Sequence, residues 1–404
     1  MTRVLGLQKK ERRLAAVFIG ALWVASYAML VYHRHDYQWD FQVYYFAAKA
    51  WAQNLNPYEV ESLKTAGAKP DQDSPFLYPP ITLPIFRLFT VVSYEAARNI
   101  WLALKLLGVL GLVLLWRRTF LRGVDWLVLL PVVLMSFNGA TLADLETGNI
   151  TVFEQLILWM GFWCYLRGRR SWFVLLVVLG SVWKLTSIVL LLMLVLPREC
   201  RKRGWVPLAI GLASFALVVF VPFFLRPDQL RSFLASSRSV QIDTGPADPC
   251  MFALFTFVSH HFLSTRFPTV AIPVGYAAWA LFVVYVLRKS WHPLRGALEQ
   301  NGRFAALLYA LFLYSLISPR FMCYSYMLLI VPATLVLYGL PGSAATVSTL
   351  LLPLCLPSNN FHIRTFSLIS DYYPLLLTLG AWYLLVTGRV DLHKAAQVTG
   401  TEGG

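Results

Sequence analysis

Apolar runs follow one another along almost the whole chain, from residues 14–31 to residues 373–386, and several are long enough to cross a lipid bilayer. A helix needs about 20 apolar residues to span the hydrocarbon core, and only helices or closed barrels satisfy their backbone hydrogen bonds there. The composition agrees with this pattern, because 58% of the residues are hydrophobic and only 14% are charged. The sequence therefore predicts an all-α, polytopic bundle of transmembrane helices.

No polar block between the apolar runs is long enough to fold alone, so we expect residues 1–404 to form a single membrane domain. Basic residues gather in short turns, which is typical of cytoplasmic loops. These turns are residues 116–122, 167–170, 198–203 and 288–295. The pattern predicts about 12 crossings with both termini inside. The polar stretches 138–149 and 226–250 should then be outer turns.

The formal net charge of +15 does not indicate nucleic-acid binding, because the basic residues are spread over these turns. The five cysteines show no metal-ligand spacing. The adjacent residues His260 and His261 would point in different directions on a helix, and so would not form a metal pair. We therefore expect no metal site, no cofactor and no nucleic-acid partner.

The longest polar stretch, residues 33–78, follows the first apolar run and should form the first outer loop. Asp40 lies within it between Trp39 and Phe41, in an aromatic segment that suits interfacial helices. A carboxylate in such surroundings is partly desolvated, which raises its pKa toward the range useful for accepting a proton from a hydroxyl. We therefore predict that Asp40 is a general base, with Asp36 as the alternative.

A series of short motifs spans most of the chain. They are WDFQVYY at residues 39–45, AA at 47–48, NPY at 56–58, YPP at 78–80, TGNI at 147–150, WKLT at 183–186 and the block at 318–326 that begins with SP. Their order and spacing resemble glycosyltransferase family 87, bacterial enzymes of the GT-C superfamily that are similar to polyprenol-phosphate-mannose-dependent α-mannosyltransferases. The resemblance implies a GT-C type bundle in the bacterial inner membrane, with an active site on the extracytoplasmic side.

The resemblance also implies a reaction. The donor would be a polyprenyl-phosphate-linked sugar, either mannose or another hexose or pentose, and the acceptor a glycolipid or glycan within the membrane lipids. Transfer would invert the anomeric carbon without a metal, because one carboxylate can remove the acceptor proton while cations stabilise the departing phosphate. Asp40 is the predicted base. Lys184, Arg320 and Arg238 are the predicted phosphate ligands.

Other polar side chains are predicted to bind the sugar or the acceptor, since carboxylates, amides and hydroxyls can match sugar hydroxyls. They are Asp36, Tyr44, Asp144, Glu146, Asn149 and His362. Several predicted site residues have an alternative structural role. Asp144, Glu146 and Asn149 could cap a helix, and Lys184 could extend its ammonium to the membrane interface. Arg320 and Arg238 could be solvated or contact lipid headgroups.

Two other classes of protein are compatible with parts of this pattern. A lipid or solute transporter or flippase would also combine short helices with a membrane lysine, but such proteins commonly contain inverted repeats, and no clear repeat is visible in this sequence. A noncatalytic scaffold protein would not need Asp40. Transfer activity and its dependence on Asp40 distinguish these classes from a glycosyltransferase.

Overall fold

The computed structural model describes residues 37–70, 73–197, 201–224, 226–239, 245–262, 268–342, 351–356 and 367–399. Every regular element within these ranges is helical, which confirms the all-α prediction. The first apolar run, residues 14–31, lies outside the described residues.

The α-helices in the described ranges are numbered here in chain order. They are α1 Trp39–Ala52, α2 Val60–Thr65, α3 Leu83–Arg87, α4 Tyr94–Thr119, α5 Trp126–Thr147, α6 Thr151–Leu166, α7 Arg170–Ser181, α8 Arg201–Phe224, α9 Pro227–Ser239, α10 Met251–Phe262, α11 Pro268–Lys289, α12 Trp291–Ile317, α13 Ile330–Tyr338, α14 Ser367–Asp371, α15 Tyr373–Val386 and α16 Leu392–Thr399. Tighter 3-10 segments occur at Leu185–Leu194 and Cys323–Leu329.

Four helices in the described part of the chain are long and apolar enough to cross a membrane. They are Tyr94–Thr119, Trp126–Thr147, Arg203–Phe224 and Ile272–Lys289. Large apolar side chains on three of them point outward, since Leu107, Leu217 and Leu281 are each more than 60% exposed. Such a surface is stable against lipid and unfavourable in water. The count of about 12 crossings stays a prediction.

Helix α5 corrects the expected outer turn at residues 138–149. The helix continues through most of this stretch and is interrupted only at residues 136–139. Asn138 and Gly139 have positive φ there, a conformation that asparagine and glycine tolerate better than other residues. Asp144, which follows the break, is buried because its carboxylate is paired with a lysine of α4.

The expected polar loop at residues 226–250 contains helix α9, which packs on the first outer loop. Phe233 of α9 lies with its ring centroid 5.5 Å from that of Tyr58. Ser236 Oγ donates to the Tyr58 carbonyl at 2.8 Å. The sequence pattern missed this helix because it contains few apolar residues, of which Phe233 is buried against the loop.

The buried apolar residues form two clusters, and the smaller one organises the first outer loop. The larger cluster lies among the membrane helices. The smaller cluster, called the loop cluster here, is built from aromatic rings of α1, the Tyr78 region and α4. Phe41 stacks on Trp101 with centroids 4.9 Å apart, and Tyr44 packs against Phe86 at 4.6 Å. These contacts fix α1 against α4, which positions the residues at the start of α1.

Candidate active site

Asp40 is the second residue of α1 and is held by an asparagine that lies 109 residues later. Asn149 Nδ2 donates to Asp40 Oδ2 at 2.7 Å. Asn149 is buried, whereas Asp40 is only partly buried. The carboxylate is therefore oriented by a fixed partner and retains access from outside.

The chain that enters α1 lies directly on Gly148. Gln38 has a φ of 63°, and its N–H donates to the Glu146 carbonyl at 2.6 Å. A Cβ atom on Gly148 would lie 2.8 Å from Cβ of Gln38, and Gly148 itself has a φ of 73°. Only glycine satisfies both conditions without strain. The end of α5 and the start of α1 consequently meet at the backbone, which brings Asn149 next to Asp40.

Three tyrosine hydroxyls surround the same amide. Asn149 Nδ2 lies 3.1 Å from both Tyr44 Oη and Tyr324 Oη, and 3.5 Å from Tyr78 Oη. The Tyr44 and Tyr78 hydroxyls are themselves 2.9 Å apart. An amide nitrogen has only two hydrogens, so these oxygens and Asp40 share them. The arrangement is a set of hydroxyl and amide groups beside one carboxylate, suited to binding other hydroxyls.

The other end of the Asn149 amide caps helix α6. Asn149 Oδ1 accepts from the Thr151 backbone N–H at 3.1 Å and from Thr151 Oγ1 at 2.8 Å. The capping role and the contact with Asp40 are therefore compatible, because they use different atoms of one side chain. A sugar-binding role for Asn149 stays a prediction.

Lys184 lies between α7 and the 3-10 segment Leu185–Leu194, and it contacts the same Thr151 hydroxyl as Asn149. Its Nζ donates to Ser325 Oγ at 2.8 Å and to Thr151 Oγ1 at 3.2 Å. Glu154 Oε2 lies 3.4 Å from the same ammonium. The Lys184 side chain is 24% exposed. The charge of Lys184 is thus partly neutralised, and Thr151 connects the lysine to the asparagine that holds Asp40.

Lys105 of α4 is not among the predicted site residues, although it contacts the backbone of Asn149, which holds Asp40. Its Nζ lies 2.8 Å from Asp144 Oδ2, and both side chains are completely buried. It also donates to the backbone carbonyls of Asp144 and Asn149, the latter at 2.6 Å. A lone lysine within an apolar helix is the sequence signal that could have identified it.

The sequence predicts Asp144 as a sugar ligand, whereas in the fold its carboxylate is paired with Lys105. Its carboxylate is enclosed with Lys105 and has no exposed surface. Glu146, two residues later, is partly exposed. Glu154 was not predicted either; it is a second carboxylate within an apolar helix, and its Oε1 accepts from Ser187 Oγ at 2.9 Å.

Burial is the strongest influence on Asp40 and raises its pKa to about 6. The hydrogen bond from Asn149 and the positive charges of Lys105 and Arg320 lower the pKa, while the negative charge of Asp144 raises it. A carboxylate with this pKa is mostly ionised at neutral pH yet more basic than an ordinary aspartate, as a general base requires.

Arg320 lies in the exposed turn after α12, and its charge reaches Asp40. The turn is fixed by the next residue, because the Phe321 N–H donates to Asp248 Oδ1 at 3.0 Å. Three other predicted site residues cannot be placed: Asp36 and His362 lie outside the described residues, and so does the side chain of Arg238.

Four described helices are apolar enough to span a bilayer, and a carboxylate held by a buried asparagine lies in the same fold. The sequence profile of glycosyltransferase family 87 matches residues 76–319, more than half of the 404 residues. The chain belongs to glycosyltransferase family 87, which confirms the resemblance found in its motifs. No curated protein and no solved structure matches the chain significantly.

The matched region contains Asn149 and Lys184, but neither Asp40 nor Tyr324. The fold brings these two residues to the matched ones, through the contacts of Asn149 with Asp40 and Tyr324. Family membership supports a glycosyltransferase activity, and it favours this activity over the transporter and scaffold interpretations.

Proposed function

We propose that the protein transfers a sugar from a polyprenyl-phosphate donor to a glycolipid or glycan acceptor on the extracytoplasmic side of the bacterial inner membrane. The transfer inverts the anomeric carbon and is independent of metal. The sugar is mannose or another hexose or pentose, and the fold is a single GT-C type domain of about 12 crossings. The contact between Asp40 and Asn149 carries this proposal, because it holds a carboxylate of raised pKa at the start of helix α1.

Asp40 is the general base in this reaction. Its carboxylate takes the proton of an acceptor hydroxyl as that oxygen forms a bond to the anomeric carbon, and the bond from this carbon to the phosphate oxygen breaks. The proton ends on Asp40, and the electron pair leaves with the polyprenyl phosphate. The hydroxyls of Tyr44, Tyr78 and Tyr324 lie beside Asn149, where they can hold acceptor or sugar hydroxyls.

Lys184 and Arg320 supply positive charge for the departing phosphate. Lys184 and Asn149 both hydrogen-bond to Thr151, and the positive charge of Arg320 lowers the pKa of Asp40. A positive field that is already in place stabilises charge as it develops, without rearrangement during the reaction. Arg238 and the acceptor ligands Asp36, Glu146 and His362 stay part of the proposal.

The donor class is tested with the purified protein in lipid nanodiscs. We expect label to pass from polyprenyl-phosphate-[¹⁴C]mannose, or from the corresponding donor of another sugar, to an envelope glycolipid extract, with the opposite anomeric configuration in the product. The same sugar carried on a nucleoside diphosphate should give no product. Transfer from the nucleotide sugar in the absence of any lipid-linked donor would contradict the proposal, as would a product that retains the donor configuration.

Lys184→Ala should weaken donor binding more than acceptor binding. A hydrogen bond to a charged group contributes about 1.5–3 kcal/mol, so we expect the KM for the donor to rise on the order of tenfold or more. The KM for the acceptor should change by less than about twofold, which is smaller than the change expected from losing one such hydrogen bond. Lys184→Arg keeps the charge and should recover part of the donor affinity.

The matched control for this lysine is Lys49→Ala. Lys49 lies on α1, and its ammonium packs over the Phe46 ring at 5.8 Å. It should leave both KM values near those of the wild type. Equal increases in the two KM values of Lys184→Ala would show that Lys184 does not act on the donor phosphate.

A further inference from the structure

A second concentration of positive charge lies at the opposite end of α7 from the candidate active site. Helix α7 has 12 residues, which gives a length of roughly 18 Å. Lys184 lies just after its C-terminal end, and a cavity of about 680 Å³ opens at its N-terminal end. The cavity is lined by Gly168, Arg169, Arg170, Trp172, Arg203 and Arg303, with Ser171.

The four arginines of this cavity, called the arginine pocket here, come from three parts of the fold. Arg169 and Arg170 lie at the start of α7, Arg203 at the start of α8 and Arg303 within α12. Arg170 Nη1 lies 3.4 Å from the Arg203 carbonyl, which joins the starts of α7 and α8. The described lining contains four guanidinium groups. The pocket is therefore strongly electropositive.

Gly168 leaves space for the end of the Arg303 side chain. Gly168 has a φ of 75°, and a Cβ atom there would lie 2.9 Å from Arg303 Nη1. Helices α7 and α8 both begin at this pocket, and the first N–H groups of a helix favour an anion. Guanidinium groups add planar, paired donors that match two oxygens of a phosphate. The chemistry favours a phosphate group as the ligand.

Two apolar stripes lead away from the pocket along the helices that form it. On α7, Trp172, Leu175 and Leu179 are 57%, 45% and 46% exposed and are spaced three and four residues apart. On α8, Val206 and Ile210 follow Arg203 with the same spacing and are 66% and 57% exposed. Residues at this spacing lie on one face of a helix. The ligand therefore has an apolar part beside its phosphate.

We propose that the arginine pocket binds the phosphate headgroup of an anionic membrane phospholipid, whose acyl chains lie along the stripes of α7 and α8. Arg169, Arg170 and Arg203 belong to the basic turns at residues 167–170 and 198–203, and the charge of these turns places the pocket in the cytoplasmic leaflet. The site is separate from the donor site at Lys184, and its occupation does not depend on which sugar is transferred.

Native mass spectrometry of the purified protein in detergent tests the pocket with phosphatidylglycerol as the probe and phosphatidylcholine as the neutral comparison. We expect one phosphatidylglycerol to bind more tightly than the rest. The double variant R170Q/R303Q should weaken this binding on the order of tenfold, since each basic side chain near an anionic lipid contributes about 1 kcal/mol. R170K/R303K keeps the charge and should retain most of the affinity.

The matched control is R118Q/R288Q, which removes the same charge from two exposed arginines in other basic turns. It should bind phosphatidylglycerol as the wild type does. An equal loss in both double variants would overturn the proposal, because it would show a general effect of charge. Equal binding of phosphatidylcholine, or complete displacement of the lipid by millimolar inorganic phosphate, would also overturn it. Size-exclusion profiles and melting temperatures establish that each variant is folded.

Discussion

Replacing Asp40 with asparagine is expected to lower the rate of sugar transfer by about a hundredfold to ten-thousandfold, the range of general-base catalysis. The substitution keeps the size of the side chain, and its amide oxygen can still accept the hydrogen bond from Asn149 Nδ2. The geometry at the start of α1 should therefore persist while the proton acceptor is lost. The measurement is the initial rate of transfer from the labelled polyprenyl-phosphate donor in nanodiscs.

Asp73→Asn is the matched control, because it neutralises an exposed carboxylate of the same outer loop. It should transfer sugar at the wild-type rate. Asp40→Asn should also leave the dissociation constant of the donor nearly unchanged, since the base acts on the acceptor. Undiminished transfer by Asp40→Asn would remove Asp40 as the base, and an equal loss in Asp73→Asn would show a nonspecific effect of loop charge.

The pH dependence of the wild type provides a second check on this base. The pKa of Asp40 is raised to about 6, so the carboxylate becomes protonated as the pH falls through that value, and transfer should fall with it. The same shift acts on stability: between the ordinary pKa of 3.8 and about 6 the folded state holds a proton that the unfolded state releases. This contribution to the free energy of unfolding is therefore present at low pH and is lost as the pH rises through the window.

The sequence predicted the parts of this site that depend on neighbouring residues. Asp40 follows Trp39 within an aromatic segment, and that local pattern was sufficient to predict an interfacial helix and a candidate base. The helix is present as α1. The apolar runs likewise predicted an all-helical membrane protein, because the length and hydropathy of a span are local properties.

The sequence could not predict the partners that the fold brings together over long separations. Asn149 reaches Asp40 across 109 residues, and Lys184 reaches Ser325 across 141. Nothing local distinguishes a capping asparagine from one that also anchors a base. Asp144 shows the same limit: its place in a polar stretch predicts a sugar ligand, and only the fold reveals its pairing with Lys105, 39 residues earlier.

Replacing Lys105 with methionine should destabilise the protein more than any other single change considered above. The ammonium lies 2.8 Å from Asp144 Oδ2, and neither side chain has any exposed surface. Removing one member of a buried ion pair leaves the other charge uncompensated, which costs about 3–5 kcal/mol. Two backbone carbonyls, those of Asp144 and Asn149, lose their donor as well. We expect this loss in the free energy of unfolding from denaturant titration in mixed micelles.

The double variant K105M/D144N distinguishes charge from packing. It removes both charges, and neutral replacement of a buried pair is often tolerated, so it should recover most of the stability that Lys105→Met loses. Lys64→Met is the control, because it breaks an exposed pair with Glu61 and should change the free energy of unfolding by less than about 1 kcal/mol. If K105M/D144N is as unstable as Lys105→Met, the contribution of Lys105 comes from its backbone contacts instead. Since Lys105 holds the Asn149 carbonyl, the recovered double variant should still transfer sugar more slowly than the wild type.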